Sequence, residues 1–123
     1  MKRVKTTRKQ FIRFARRVRR AWDAVGMSGW QLIMLHTEMD DDVCARTDRE
    51  WCQRRITIRM NTTTPVNSNF QAFWDEMAVH EVAHAVLAPL GCLAGERYLA
   101  EEDLNSAEHE VVRRIVPLIQ KSM

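Results

Sequence analysis

Apolar residues recur every three or four positions over residues 8–25, the spacing that places side chains on one face of an α-helix. Gly26 and Gly29 follow, and glycine commonly ends a helix. We therefore predict an N-terminal amphipathic helix that packs on the core. Its apolar face consists of Phe11, Phe14, Ala15, Val18, Trp22 and Val25.

The next part of the chain has the pattern of short strands. Residues 30–36 form an apolar run close to two glycines, and residues 43–47 are a second candidate, followed by a turn at 48–50. In 54–60, apolar and polar residues alternate, which is typical of a half-buried strand. These segments predict a small, roughly three-stranded and mostly antiparallel sheet, with 61–67 as a loop.

Two more helices are predicted in the second half. Ser68-x-x-Gln71 matches a capping box, and it would begin a helix that runs to about Leu87 and is apolar nearly all round. Residues 103–116 show helical spacing again, and Pro117 would end or kink that helix. The expected fold is α+β, with the sheet packed against an N-terminal helix, a buried central helix and a C-terminal helix.

The composition fits one globular domain. The chain has 123 residues, of which 46% are hydrophobic and 28% charged. No apolar run approaches the roughly 20 residues that span a bilayer, and no secretory signal is recognisable. Three cysteines without Cys-x-x-Cys spacing are typical of reduced thiols, so we expect a cytoplasmic protein without a membrane partner.

Charge is distributed unevenly along the chain. Ten of the 19 basic residues and none of the 16 acidic ones lie in residues 1–20, and we expect residues 1–7 to form a basic tail. The first helix is then either a scaffold helix with a solvated basic face or a surface for nucleic acid or another acidic partner. The residues of that surface would be Arg13, Arg16, Arg17 and Arg20.

The predicted central helix carries the sequence His80-Glu81-Val82-Ala83-His84. Residues four apart lie on one face of a helix, so both histidines could bind one metal ion. Glu81 could then reach a water molecule on that metal, as in zinc hydrolases. A hydrogen-bonded pair of buried histidines is the alternative, but polar groups on a buried helix are costly unless something satisfies them.

A catalytic zinc requires three protein ligands and one open position. We predict Glu108 as the third ligand because it shares the apolar face of the last helix with Val112 and Ile115. Asn105-x-x-Glu108 also matches a capping box, which would give this carboxylate a purely structural role. His109 is the next candidate and would complete a site of three histidines.

His80-Glu81-x-x-His84, followed by a glutamate on a later helix, resembles the gluzincin branch of the zincin metallopeptidases. The chain is also similar in size to the minigluzincins and to small HExxH proteins encoded in bacterial and phage genomes. The resemblance covers about residues 30–119. It implies a zincin-like sheet and active-site helix, zinc held by His80, His84 and Glu108, and Glu81 as general base.

The chain departs from that pattern at two points. Larger gluzincins often carry an acidic residue four places after the ligand glutamate, where this chain has Val112. They also use a tyrosine or histidine to stabilise the oxyanion, for which Tyr98, His109 and His36 are the candidates here. SprT-like proteases are a weaker match, because their third histidine lies in a His-Gly context that this chain lacks. By analogy of fold, an edge strand at 56–60 would align an extended peptide.

The sequence thus predicts a zinc metallopeptidase that acts on a peptide or protein substrate. One alternative is a binding module, in which the basic helix contacts nucleic acid or an acidic partner and the zinc site is structural or vestigial. Another is a zinc hydrolase with a different substrate, because the motif defines the metal and the base but not what is cleaved.

Overall fold

The computed structural model describes residues 2–27, 29–50, 52–88 and 101–123. These residues form an α+β structure, as predicted, with helices packed against two small sheets. Its elements are β1 (Arg3–Lys5), α1 (Arg8–Ala24), β2 (Gln31–Thr37), β3 (Ala45–Glu50), β4 (Arg55–Asn61), β5 (Thr63–Pro65), a 3₁₀ helix (Val66–Ser68), α2 (Gln71–Val86) and α3 (Glu101–Ser122). None of the helices formed by these residues has the length and apolar character needed to cross a bilayer.

Helix α1 begins with a capping box that the sequence analysis did not identify. The Thr7 hydroxyl accepts a hydrogen bond from the Gln10 amide at 3.0 Å, and the Gln10 side chain accepts one from the Thr7 amide at 2.8 Å. The helix ends where predicted, because Gly26 adopts a φ of 68° that glycine tolerates without strain.

The main sheet has the strand order β2-β4-β3. Strand β3 pairs antiparallel with β4, whereas β2 pairs parallel with β4, so this sheet is mixed. The predicted turn at 48–50 was wrong, because these residues continue β3 to Glu50. The predicted edge strand at 56–60 was also wrong: those residues belong to β4, the central strand, which has a neighbour on both sides.

The N-terminal residues do not form the expected tail. Strand β1 pairs antiparallel with β5, with Val4 opposite Thr64. The predicted loop at 61–67 is therefore also partly wrong, because Thr63–Pro65 is a strand. Thr6 is buried and donates a hydrogen bond to the Asn61 carbonyl at 2.7 Å, which ties this small sheet to the end of β4.

Helix α2 starts later than the capping-box pattern predicted. Its N-cap is Phe70, without a side-chain hydrogen bond, and Gln71 instead donates to Asp75 at 2.8 Å. Asn69 accepts hydrogen bonds from Trp74 Nε1 at 3.2 Å and from Gln10 at 2.8 Å. These two bonds connect the start of α2 to α1, so a tertiary contact replaces the local cap.

The core lies where the three helices meet the sheet. Helix α2 packs between α1 and α3, and Phe14 contacts Trp74 edge-on at a centroid distance of 5.7 Å. Residues on both sides of α2 are buried, as its apolar sequence predicted. Helix α3 continues past Pro117 to Ser122, beyond the predicted end at 116. The core contains Phe14, Val18, Ala21, Ile56, Ile58, Met60, Trp74, Ala78, Val82, Ala85, Val112, Val116 and Ile119.

The buried side chain of Asn61 holds the loop that joins β2 to β3. Its amide nitrogen donates to the carbonyls of Met39, Asp40 and Val43 at 3.3, 3.1 and 2.7 Å. Its oxygen accepts from the amides of Met39 at 3.2 Å and Thr63 at 3.3 Å. This loop passes over the end of β4, so Asn61 fixes the crossing that makes β4 the central strand.

Replacing Asn61 should therefore destabilise the protein strongly. We expect Asn61→Ala to lower the free energy of unfolding by about 2–4 kcal/mol, because it leaves several partly buried main-chain groups without their partner and removes a buried side chain. Asn67→Ala is the matched control, since Asn67 is exposed and should change stability by less than about 0.5 kcal/mol. Urea denaturation followed by tryptophan fluorescence measures both, and equal effects would contradict the assigned role.

Candidate metal centre

Helix α2 presents two imidazoles from consecutive turns on one face. His80 Nε2 and His84 Nε2 lie 3.2 Å apart. Two nitrogens that each lie about 2.0–2.1 Å from a tetrahedral zinc are separated by about 3.4 Å. The pair is therefore spaced as ligands of one metal are, although a shared proton between the two rings also suits this distance.

A third imidazole approaches from α3. The ring centroid of His109 lies 4.9 Å from that of His84 and 6.4 Å from that of His80. The three side chains offer ligand nitrogens that all lie within 4.8 Å of one another. His109 Nδ1 lies 2.8 Å from the Asn105 carbonyl, to which it donates as an N–H, leaving the Nε2 lone pair available for a metal.

Glu108 contacts His84 on α2 and Arg49 on β3. Its Oε1 lies 3.0 Å from His84 Nδ1, and its Oε2 lies 3.5 Å from the Arg49 guanidinium. A carboxylate on the second nitrogen of a ligand histidine fixes the tautomer and the ring orientation. Asn105 lies within α3, so Glu108 does not act in the capping box that the sequence allowed. Both Glu108 and His109 are thus at the site.

Glu81 follows His80 on α2 and is buried. The residue is 3% exposed, and its Oε2 has no hydrogen-bond partner among the described residues. Burial raises the pKa of this carboxyl group to about 7. The Thr47 hydroxyl donates to the Glu81 main-chain carbonyl at 2.9 Å, which connects β3 to this turn of α2.

The pKa values of the two histidines on α2 shift in opposite directions. Burial, with smaller contributions from His84 and His109, lowers the pKa of His80 to about 4, so its ring is neutral at physiological pH. Burial also lowers the pKa of His84, but the hydrogen bond to Glu108 and the nearby carboxylates outweigh it and raise the pKa. The same hydrogen bond lowers the pKa of Glu108, which therefore stays ionised. Metal binding at His84 would displace a proton from its ring.

The histidines open onto a cavity of about 850 Å³ between β3, α2 and α3. Strand β3 is an edge of the described three-stranded sheet and forms one wall of the cavity. Thr47 and Arg49 lie on this wall, and Glu108 and His109 lie on the opposite side. Solvent and a substrate can therefore reach the three imidazoles from one side.

The other predicted oxyanion candidates do not join this group in the described structure. Tyr98 lies outside the described residues. His36 stacks on Phe11 at a centroid distance of 5.1 Å, and its Nε2 lies 2.7 Å from the Thr6 hydroxyl. Val112, at the position where larger gluzincins carry an acid, is fully buried in the core.

The basic residues of α1 have mixed surroundings. Arg13 lies 3.5 Å from Asp75, and Arg20 donates to the Met123 carbonyl at 2.5 Å. Arg17 is partly buried, and its Nε has no hydrogen-bond partner among the described residues. Arg16 is exposed. Two of the four predicted arginines are thus held by the chain itself.

Two residues outside the motif that support the site could not be assigned to it from the sequence. Thr47 ended the strand predicted at 43–47, and Arg49 lay in the turn predicted at 48–50, because Asp and Glu are depleted in strands. The alternation of Ala45, Thr47 and Arg49 was the signal that could have extended the strand to Glu50. Nothing in the sequence indicates that the Asn105 carbonyl accepts from His109, because that contact depends on the ring orientation.

No protein-family model, curated protein or solved structure matches this chain. Three imidazoles, with a hydrogen-bond acceptor on two of them, lie beside a buried carboxylate of which one oxygen has no partner among the described residues. This donor set fits a divalent metal that imidazole binds, of which zinc is one.

Proposed function

We propose that this chain is a zinc-dependent metallopeptidase. His80 and His84 hold the metal, α3 supplies the third ligand, and Glu81 is the general base. One observation carries the proposal: three imidazole nitrogens lie within 4.8 Å of one another beside a buried carboxylate, one oxygen of which has no partner among the described residues. Of the two residues on α3, His109 fits the ligand position better, because Glu108 already orients His84 and pairs with Arg49.

The chemistry follows from the surroundings of Glu81. Zinc supplies Lewis acidity, which acidifies water and polarises a carbonyl oxygen. A carboxyl group with a pKa of about 7 can both accept and return a proton near neutral pH. Glu81 takes a proton from the attacking water, the water oxygen bonds to the carbonyl carbon, and the C–N bond breaks as Glu81 protonates the departing amine.

The shape of the site supports a peptide as substrate. An exposed strand edge offers main-chain donors and acceptors to an extended chain. Strand β3 is such an edge, and it borders the cavity that contains His80 and His84. This role replaces the one that the sequence assigned to residues 56–60.

Zinc reconstitution followed by peptide digestion tests the proposal. The purified protein is loaded with zinc, its metal content is measured by mass spectrometry, and a mixture of unstructured peptides is digested and sequenced. We expect about one zinc per chain and new peptide termini that chelation prevents. A protein that retains no zinc would overturn the proposal, and a zinc-loaded protein without peptide cleavage would favour hydrolysis of another substrate.

A second candidate function rests on the surface of α1. Helix α1 has five basic residues, not counting Arg20, that are exposed or partly exposed and form no ion pair among the described residues. Its one acidic residue is Asp23. This face would bind nucleic acid through the phosphates, with an affinity that falls steeply with salt. A salt titration with fluorescent DNA and RNA tests it, and Arg16→Ala combined with Arg19→Ala should reduce the slope. An affinity independent of salt would leave α1 as scaffold.

A further inference from the structure

A second, smaller cavity lies next to His80, beside the part of α3 that follows His109 in the sequence. It measures about 330 Å³, at the small end for a ligand pocket, and it lies between α2 and α3. Its walls are mostly apolar, and His80 borders it. The apolar wall residues are Phe73, Met77, Val116 and Pro117.

Arg113 contributes a positive charge to the wall of this cavity. It follows His109 by one turn of α3, and it also borders a third cavity together with His80, Asn105 and His109. Its Nε donates to the main-chain carbonyl of His109 at 3.3 Å. No carboxylate of a described side chain lies within ion-pair distance of it, whereas Arg49, the other arginine near the site, is paired with Glu108.

We propose that this groove binds the C-terminal residue of a peptide, with Arg113 on the terminal carboxylate and the apolar walls around the side chain. The inference rests on the proposed function and specifies its substrate class. A guanidinium binds a carboxylate with two parallel hydrogen bonds, which makes arginine suited to this group.

The position of Arg113 suits cleavage of a single terminal residue. The carboxylate of a C-terminal residue lies one residue beyond the scissile carbonyl, and consecutive Cα atoms are about 3.8 Å apart. Arg113 borders the same cavity as His80 and His109, so one terminal residue can lie between the histidines and the guanidinium. The protein then acts as a carboxypeptidase with a preference for apolar terminal residues.

Glu76 disfavours an acidic side chain in this groove, whereas the apolar walls favour an apolar one. Its exposed carboxylate lies on the wall of the same groove, where it repels a second negative charge. The terminal carboxylate is placed instead next to Arg113. Arg113 thus receives the terminal carboxylate, and Glu76 keeps other acidic groups out of the groove.

Binding of a small probe tests the inference without turnover. The probe is 2-benzyl-3-sulfanylpropanoate, which has a thiol for zinc, a benzyl group for the groove and a carboxylate for Arg113. Calorimetric titration of the zinc-loaded protein should show that the acid binds about 10- to 100-fold more tightly than its carboxamide. Arg113→Ala should remove this difference, Arg113→Lys should retain part of it, and Lys121→Ala near the end of α3, where the side chain is exposed, should leave it unchanged.

The outcomes separate this inference from the proposed function. Equal affinities of acid and amide, or a difference that survives Arg113→Ala, would overturn the carboxylate site, as would a zinc-loaded protein that binds neither compound. Peptide cleavage at internal bonds combined with equal affinities would leave the metallopeptidase proposal intact. A protein that retains no zinc would overturn both.

Discussion

Glu81→Gln is expected to leave the zinc content unchanged and to slow peptide hydrolysis by about 10²- to 10⁴-fold, the usual contribution of a general base. Glutamine has nearly the same size and shape as glutamate, so the packing around this buried position should persist. It cannot accept a proton from water, however, and so cannot return one to the leaving amine. The rate is measured with the best peptide from the digestion, and the metal content is measured in the same preparation.

Glu38→Gln is the matched control for this change. Glu38 is exposed and borders none of the three cavities described at the site, so its replacement removes a carboxylate without touching the buried side of α2. We expect a change in rate of less than about threefold, since surface charges contribute little. If Glu81→Gln kept full activity with zinc bound, another residue would have to be the base.

His109→Ala and Glu108→Gln should weaken zinc binding to different degrees. Replacing a residue that only orients a ligand typically costs about 10- to 100-fold in metal affinity, and this is the loss expected for Glu108→Gln. His109→Ala should cost more than that, because it removes a nitrogen that lies within 4.8 Å of the other two. Competition with a chromophoric chelator measures both affinities on the same scale.

The opposite ranking would assign the third ligand to Glu108, as the sequence predicted. His109→Gln provides a second check, because it keeps a polar side chain of similar length at this position of α3. His36→Ala is the control for losing an imidazole, since His36 contacts Thr6 and Phe11 and not the cluster. It should leave zinc affinity unchanged, and a loss there would indicate that unfolding, not ligand removal, explains the results.

The helices were the most predictable part of the fold. Helical period and a terminating glycine depend on neighbours in the chain, so α1 was expected at 8–25 and lies at Arg8–Ala24. The alternation in 54–60 likewise located β4, whose Ile56 and Ile58 are buried. Both signals are local, and they have the same physical cause, because one face of each element must be buried away from water.

Strand order could not be predicted in this way. A period of two indicates which face of a strand is buried but not which strand lies beside it. The parallel pairing of β2 with β4 depends on the loop that Asn61 holds, and the strand at 45–50 has the composition of a turn. Because residues 56–60 were taken as an edge strand, they were also expected to align the substrate, although they belong to the central strand β4.

For the candidate site, the sequence by itself determined the spacing of His80, Glu81 and His84, because four residues on a helix always return a side chain to the same face. Only the tertiary structure decided what meets them. The packing of α3 on α2 brings both residues to the cluster: Glu108 contacts His84 Nδ1, and the ring of His109 lies 4.9 Å from that of His84, centroid to centroid. That outcome depends on helix crossing and ring orientation, which are set by contacts between residues far apart in the chain and are not encoded in any local pattern.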